Sequence, residues 1–311
     1  MNTLDMNTLD MNTVNVNNKV IVMTGGTSGL GKVAVCELAH KGARLFVLCR
    51  NNDKGEMLQK EYHEQYKHGK GSITTIPCNL SSFPSIVAAC IDLHSKVNTV
   101  DMLINNAGIM NFQFKETADR IEETWQVNLL APMLISHLLI DLLSTSESAK
   151  IIFTASALHQ GNINFQDLEN RREFNGVRAY RQSKLGLILQ CRYLGQKLAP
   201  TNIGVYCQHP GLVRTSLGRD AGWFTKMIFF LMGTSPFIGS RNLLYLVETE
   251  KYNLTTGEYY ADMKVTHTSK ESYSLSVAVI LFETIRSYLL EYLTTSSLIF
   301  AKNEKSPQTN V

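Results

Sequence analysis

Short, dense apolar runs alternate along this chain with longer amphipathic stretches. Residues 19–24 (KVIVMT), 44–49 (RLFVLC), 72–78, 101–105 (DMLIN), 150–155 (KIIFTA) and 203–208 have the length and β-branched content of strands. Helical patterns lie between them at 32–41, 53–67, 84–96, 117–143 and 177–199, the last ended by Pro200. Strands separated by helices predict parallel pairing through right-handed crossovers. A helix over 235–250, a strand near 258–261 and an apolar helix over 272–293 complete the pattern. The expected fold is α/β: a single-domain Rossmann-type doubly wound parallel sheet of about seven strands, helices on both faces. Residues 18–296 make up that domain. The polar MNTLD repeats place residues 1–17 in a disordered segment, and 297–311 form a polar tail.

In such a sheet all parallel strands end at one edge, where ligands sit. The first predicted strand breaks into Gly25-Gly26-Thr27-Ser28-Gly29-Leu30-Gly31 and then a helix. That arrangement sets backbone N–H groups and a helix N-terminus against a pyrophosphate, although glycine turns also merely reverse chains. The second strand ends in Arg50 with no acidic residue beside it. An arginine suits a ribose 2′-phosphate, favouring NADP(H) over NAD(H), unless Arg50 is simply a solvated loop charge. The fourth strand ends in Asn105-Asn106-Ala107-Gly108, the fifth delivers Ser156, and the sixth runs into His209-Pro210-Gly211.

Tyr180 and Lys184 stand four apart, on one face of a predicted helix. A fixed cation favours a phenolate, so the pair is acid–base equipment whose phenol is expected to titrate below ~10. Tyr66/Lys70, Tyr193/Lys197 and Tyr260/Lys264 repeat the spacing, and only Tyr180 comes just after the fifth strand with Ser156 upstream.

Composition narrows the choice. The 311 residues are 44% apolar with a formal charge of +3 and no basic cluster, so nucleic acid is not an expected partner. Six scattered cysteines read as buried thiols in a reducing compartment, and the eight histidines, among them an isolated His159, show no metal spacing. No uncharged apolar run reaches 18 residues. The expected location is cytoplasmic, with peripheral membrane contact left open.

Thr24-Gly25-x-x-x-Gly29-x-Gly31, Asn105-Asn106-Ala107-Gly108, Asn128, Ser156, Tyr180-x-x-x-Lys184 and Pro210-Gly211-x-Val213-x-Thr215, in this order, resemble the short-chain dehydrogenase/reductase family. VDMLINNAGIM, the long interval from Ser156 to Tyr180, and GEYYADMKV make the chain most similar to its retinol dehydrogenase and NADP-dependent carbonyl reductase group. The resemblance implies Tyr180 as general acid and base, Lys184 as the residue that lowers its pKa and holds the nicotinamide ribose, Ser156 on the substrate oxygen, and Asn128 on a relay water. It implies cofactor contacts at Gly25, Thr27, Ser28, Gly29, Leu30, Gly31, Arg50, Asn79, Leu80, Asn106, Ala107, Gly108, Tyr180, Lys184, Pro210, Gly211, Val213 and Thr215. Asn79 replaces the Asp usual after the third strand, and its amide oxygen can still accept from an adenine amine.

Residues 213–235, with Trp223 and Phe224, read as an apolar cover over a hydrophobic substrate, or as core packing or a partner or membrane contact. Met110 and Leu158 are candidates to line the same pocket. The implied activity is NADP(H)-dependent interconversion of a hydrophobic alcohol and its aldehyde or ketone, by a monomer or homo-oligomer. The alternatives are a non-catalytic nucleotide-binding regulator of the same fold, and an epimerase or dehydratase acting on a nucleotide sugar.

Overall fold

The computed structural model describes residues 14–211, 236–293 and Ile299. The apolar runs form β1 (Val20–Thr24), β2 (Arg44–Cys49), β3 (Ser72–Pro77), β4 (Met102–Asn105), β5 (Ala149–Thr154) and β6 (Ile203–Gln208), followed by β7 (Tyr259–Ala261) and β8 (Lys264–Val265). They lie in one sheet in the order β3-β2-β1-β4-β5-β6-β7-β8. Pairing is parallel throughout except at the edge, where β8 turns back antiparallel on β7. The eighth strand, beyond the seven expected, is this two-residue return; Asp262 and Met263, at φ of 50° and 61°, make its turn.

The two faces of the sheet bury separate layers. In β1, Val20 and Val22 join one core while Ile21 and Met23 join the other, so a strand buried on both sides reads as an unbroken apolar run. Helices α1 (Gly29–His40), α2 (Asn52–Gln65) and α8 (Pro236–Glu248) cover one face. The other is covered by α3 (Phe83–His94), α5 (Ala131–Leu138), α7 (Gly176–Lys197) and α9 (Leu275–Leu289). The chain winds from β1 to one side and then from β4 to the other, so a crevice opens at the carboxyl ends of β1 and β4.

Two expectations are corrected. The helix predicted over 117–143 starts only at Glu123 and is segmented into α4 (Glu123–Trp125), a wide π turn (Gln126–Leu130), α5 and α6 (Ile140–Ser144). Its start is set by the buried Glu122 carboxylate, which accepts the N–H groups of Thr124 and Trp125 at 2.9 and 2.7 Å. Pro132, in the first turn of α5, has no N–H to continue the ladder. Secondly, residues 14–17 belong with the domain: Val14 N–H bonds the Glu248 carbonyl, and Val16 is buried in the core with α1 and α8. The MNTLD repeats and most of the 297–311 tail lie outside the described residues. Among the described residues no helix is long and apolar enough to cross a membrane.

Candidate active site

The glycine turn after β1 closes against the end of β4. Gly25 has φ of 69°, and a Cβ there would lie 2.8 Å from the Ala107 Cα; a Cβ on Gly31 would collide with the Gly25 carbonyl. Thr24 stitches the two strand ends: its Oγ1 accepts the N–H groups of Asn106 and Ala107 at 3.1 and 3.0 Å. The Asn106 amide donates in return to the carbonyls of Thr24 and Gly25 at 3.2 and 3.1 Å. At the start of α1 the Ser28 side chain makes no capping bond, which leaves first-turn N–H groups available to an anion. Thr27 and Gly29 are half-buried beside it, and Leu30 is buried.

Arg50 is exposed directly beyond β2, while Asn51 caps α2 through the Lys54 N–H at 2.8 Å. Asn79 and Leu80 follow β3 half-buried; the Asn79 Oδ1 already accepts the Ser81 N–H at 3.2 Å. Pro210 and Gly211 follow β6, Gly211 at φ of 80°. All these groups share the carboxyl edge. Val213, Thr215, Trp223 and Phe224 lie outside the described residues.

Helix α7 starts at Asn175, whose Oδ1 accepts the Arg178 N–H at 3.0 Å. Gly176, Tyr180 and Lys184 then form one stripe along it. The loop after β4 runs along that stripe. A Cβ on Gly108 would lie 3.1 Å from the Lys184 Nζ, and one on Gly176 would collide with the Asn111 carbonyl. Asn128, in the π turn, holds the loop from the other side. Its Oδ1 accepts the Ile109 N–H at 2.8 Å, and its Nδ2 donates to the Ile109 carbonyl at 2.9 Å and to the Ser183 Oγ at 3.0 Å.

Tyr180 and Lys184 are buried, at 5% and 2% exposure. The Lys184 Nζ donates to the Thr154 carbonyl at 2.8 Å and stands 5.6 Å from the centroid of the Tyr180 ring. Burial pushes the Tyr180 phenol up to about 12, against a lowering by its hydrogen bond with the Ser156 hydroxyl. This corrects the expectation of a phenol lowered by lysine: loss of water around the phenolate dominates. Burial also pushes the Lys184 ammonium down to about 8. The Ser156 Oγ accepts the Leu158 N–H at 3.1 Å, which leaves its own proton to be donated to the Tyr180 oxygen. Met110 is half-buried on the loop after β4, and Leu158 is 43% exposed two residues beyond Ser156.

The other three tyrosines of the repeated spacing are engaged elsewhere: Tyr66 with Glu37, Tyr193 against Phe282, and Tyr260 with the Thr255 N–H. Residues that sequence reasoning did not single out also hold the site. Thr154 carries Lys184 on its carbonyl and bonds the Gln208 amide at 2.9 Å through its hydroxyl. Asn242 of α8 ties Gln208, His209 and Tyr260 together. Their signal is a polar side chain at the end of an apolar strand, as at Thr24, Thr154 and Gln208. All six cysteines are buried free thiols, and no cluster able to hold a metal occurs among the described residues.

A doubly wound sheet with a glycine cradle, an uncapped helix N-terminus and a buried Tyr, Lys and Ser at one edge fits a dinucleotide oxidoreductase. Residues 19–222 match the family described as short chain dehydrogenase. Over 266 residues the chain is 32% identical to retinol dehydrogenase 14 of Homo sapiens, covering 80% of this chain and 79% of that protein. It is 34% identical to retinol dehydrogenase 12 of Bos taurus over 257 residues, 81% of this chain and 80% of the other. Among solved structures, an uncharacterised protein from Mycobacterium paratuberculosis aligns at a TM-score of 0.72 and 25% identity, over 89% of this chain and 95% of that one. A 3-ketoacyl-(acyl-carrier-protein) reductase from Brucella melitensis, complexed with NADH, shares the fold at a TM-score of 0.61 and 21% identity, over 78% and 96%. The chain belongs to the short-chain dehydrogenase family and is an oxidoreductase.

Proposed function

We propose that this oxidoreductase uses NADP(H) to interconvert a hydrophobic alcohol and its aldehyde or ketone, a retinoid, steroid or other lipidic carbonyl. The observation that carries this reading is the buried cluster of Tyr180, Ser156 and Lys184 beside the glycine turn. Relatives named as retinol dehydrogenases support the hydrophobic substrate class. The nicotinamide, when bound, supplies the hydride.

The residues of the chain do the rest. Backbone N–H groups of Gly25 to Gly31 and the start of α1 hold the pyrophosphate, Arg50 the 2′-phosphate, and Asn79 the adenine. Tyr180, kept protonated by burial, donates its proton to the substrate oxygen in reduction and recovers it in oxidation. Ser156 donates its hydroxyl hydrogen to the same oxygen, where negative charge develops. Lys184 holds the nicotinamide ribose. Asn128 fixes Ile109 at both backbone groups, and the relay water implied by the family resemblance would use the lone pair left on its Oδ1. Met110 and Leu158 face the substrate at the mouth.

The test is consumption of NADPH and of NADH by the purified protein with all-trans-retinal, a long-chain aldehyde, a ketosteroid and a quinone. Faster turnover with NADPH on at least one apolar carbonyl is expected. Tight NADPH binding with no turnover of any carbonyl would favour a regulatory protein instead.

A further inference from the structure

His159 is 5% exposed, three residues beyond Ser156. Its Nδ1 lies 2.8 Å from the Ser156 carbonyl oxygen, and its Nε2 accepts the Ser269 backbone N–H at 3.1 Å. A carbonyl only accepts and a backbone N–H only donates, so the two bonds fix one state of the ring: proton on Nδ1, lone pair on Nε2. A second proton would point at the Ser269 N–H and break the bridge. The Ser269 hydroxyl adds a bond to the His159 carbonyl at 3.4 Å, and the ring packs tilted on Tyr259 of β7, centroids 5.5 Å apart.

Besides this bridge the turn that carries Ser156 is held locally, by the hydrogen bond between Ser156 and Tyr180 and by Gln160, whose Nε2 donates to the Ala157 carbonyl at 2.6 Å. Strand β5 ends at Thr154, and beyond it the Ala155 N–H reaches Gln208 while the Leu158 N–H reaches the Ser156 Oγ itself. We propose that His159 is a positioning residue for the reaction: its neutral ring ties the Ser156 backbone to Ser269, in the segment between β8 and α9, and so sets where the Ser156 hydroxyl stands against Tyr180. This rests on the roles given above to Ser156 and Tyr180.

The surroundings keep the ring neutral. Burial and the Arg181 charge on α7 disfavour a second proton, and only the Ser156 carbonyl favours one. The other titratable neighbours are His209, beyond β6, and the Tyr259 phenol of β7. The ring therefore gains its second proton only below its ordinary 6.5, and the bridge is intact above that pH and lost as pH falls.

The test compares wild type, His159→Gln and His159→Phe in kcat for carbonyl reduction from pH 5 to 8, in NADPH Kd, and in deuterium exchange of the Ser269 amide. Gln offers a donor and an acceptor that do not titrate; Phe fills the space and bonds nothing. The wild type should lose kcat below pH 6.5, and His159→Gln should hold its kcat across that range. His159→Phe should lose about tenfold above pH 6.5 with NADPH Kd unchanged, as expected when a reacting group is displaced by a fraction of an ångström, and the deficit should narrow at lower pH as the wild type loses its own bridge. Exchange at Ser269 should quicken in His159→Phe alone. Wild-type kcat in His159→Phe, an acid limb that persists in His159→Gln, or equal Ser269 exchange in all three would overturn the proposal. Absence of turnover in the wild type would instead count against the proposed function, and the exchange would still decide the bridge.

Discussion

At Tyr180 two effects compete: burial removes the water that would solvate a phenolate, and the Ser156 hydroxyl stabilises it. Burial prevails, so the phenol stays protonated throughout the neutral range. The titration that matters nearby is that of Lys184, pushed down to about 8. Raising the pH through 8 removes its charge, so kcat/KM for reduction should show an alkaline limb near 8 that moves upward in Lys184→Arg; a limb unmoved by the substitution would point to another group. Arg50→Asp should bring the NADPH/NADH preference toward NADH, read from the two KM values, because a carboxylate accepts a 2′-hydroxyl and repels a 2′-phosphate. The side chains of the site were largely legible because they punctuate the chain: glycines after a strand, two Asn before Ala107, Ser156 at a strand end. The pair spacing alone occurs four times, and Ser156 upstream was needed to choose among them. His159 was not legible, since its partner Ser269 is 110 positions away.

The elements place these groups, and their ends proved harder to read than their existence. The runs of β1, β2, β4, β5 and β6 were visible because burial on both faces makes them almost continuously apolar, whereas the edgeward β3, half-exposed, was legible only from its β-branched residues. The segmented helix after β4 was not, since its start depends on a buried Glu122 whose capping role exists only once the loop has folded. Helix α8 is fixed at its far end in a similarly hidden way. The buried Lys150 Nζ of β5 donates to the carbonyls of Leu246, Val247 and Thr249. Burial pushes the Lys150 ammonium down to about 7, so in Lys150→Met the carbonyls lose their donor while a costly buried charge is relieved, and urea unfolding should show a loss of about 1 kcal/mol. A change below about 0.5 kcal/mol, within the scatter of neutral surface substitutions, would mean that water replaces the ammonium without cost. In the glycine turn, Gly31→Ala should abolish NADPH binding, measured by fluorescence titration, and also lower stability in urea, because its Cβ would collide with the Gly25 carbonyl and crowd the Asn106 amide that bonds it.

Across the whole molecule, the crevice follows from strand order: winding reverses between β1 and β4, and every ligand-facing turn falls on the same edge. Two cores meet at that sheet, and α9 packs over α7 to close the layer behind Tyr180. Burial of histidines in these layers gives the fold an acid dependence. His137, 2% exposed, is pushed down to about 4, and His209 likewise to about 4, both by burial. A group whose folded pKa is depressed binds fewer protons folded than unfolded, so stability is complete above 6.5 and falls as pH drops toward 4. For His137 the loss amounts to about 3 kcal/mol, and it should disappear from the pH dependence of urea unfolding in His137→Phe. Whether Tyr180 passes the proton in a hydride-transfer reaction is decided by Tyr180→Phe, with NADPH Kd and single-turnover NADPH oxidation measured on the same preparation against the best carbonyl of the panel. The NADPH Kd should stay at its wild-type value while turnover falls by at least about a hundredfold, the lower range for a general acid. Turnover within a few-fold of wild type would contradict that role.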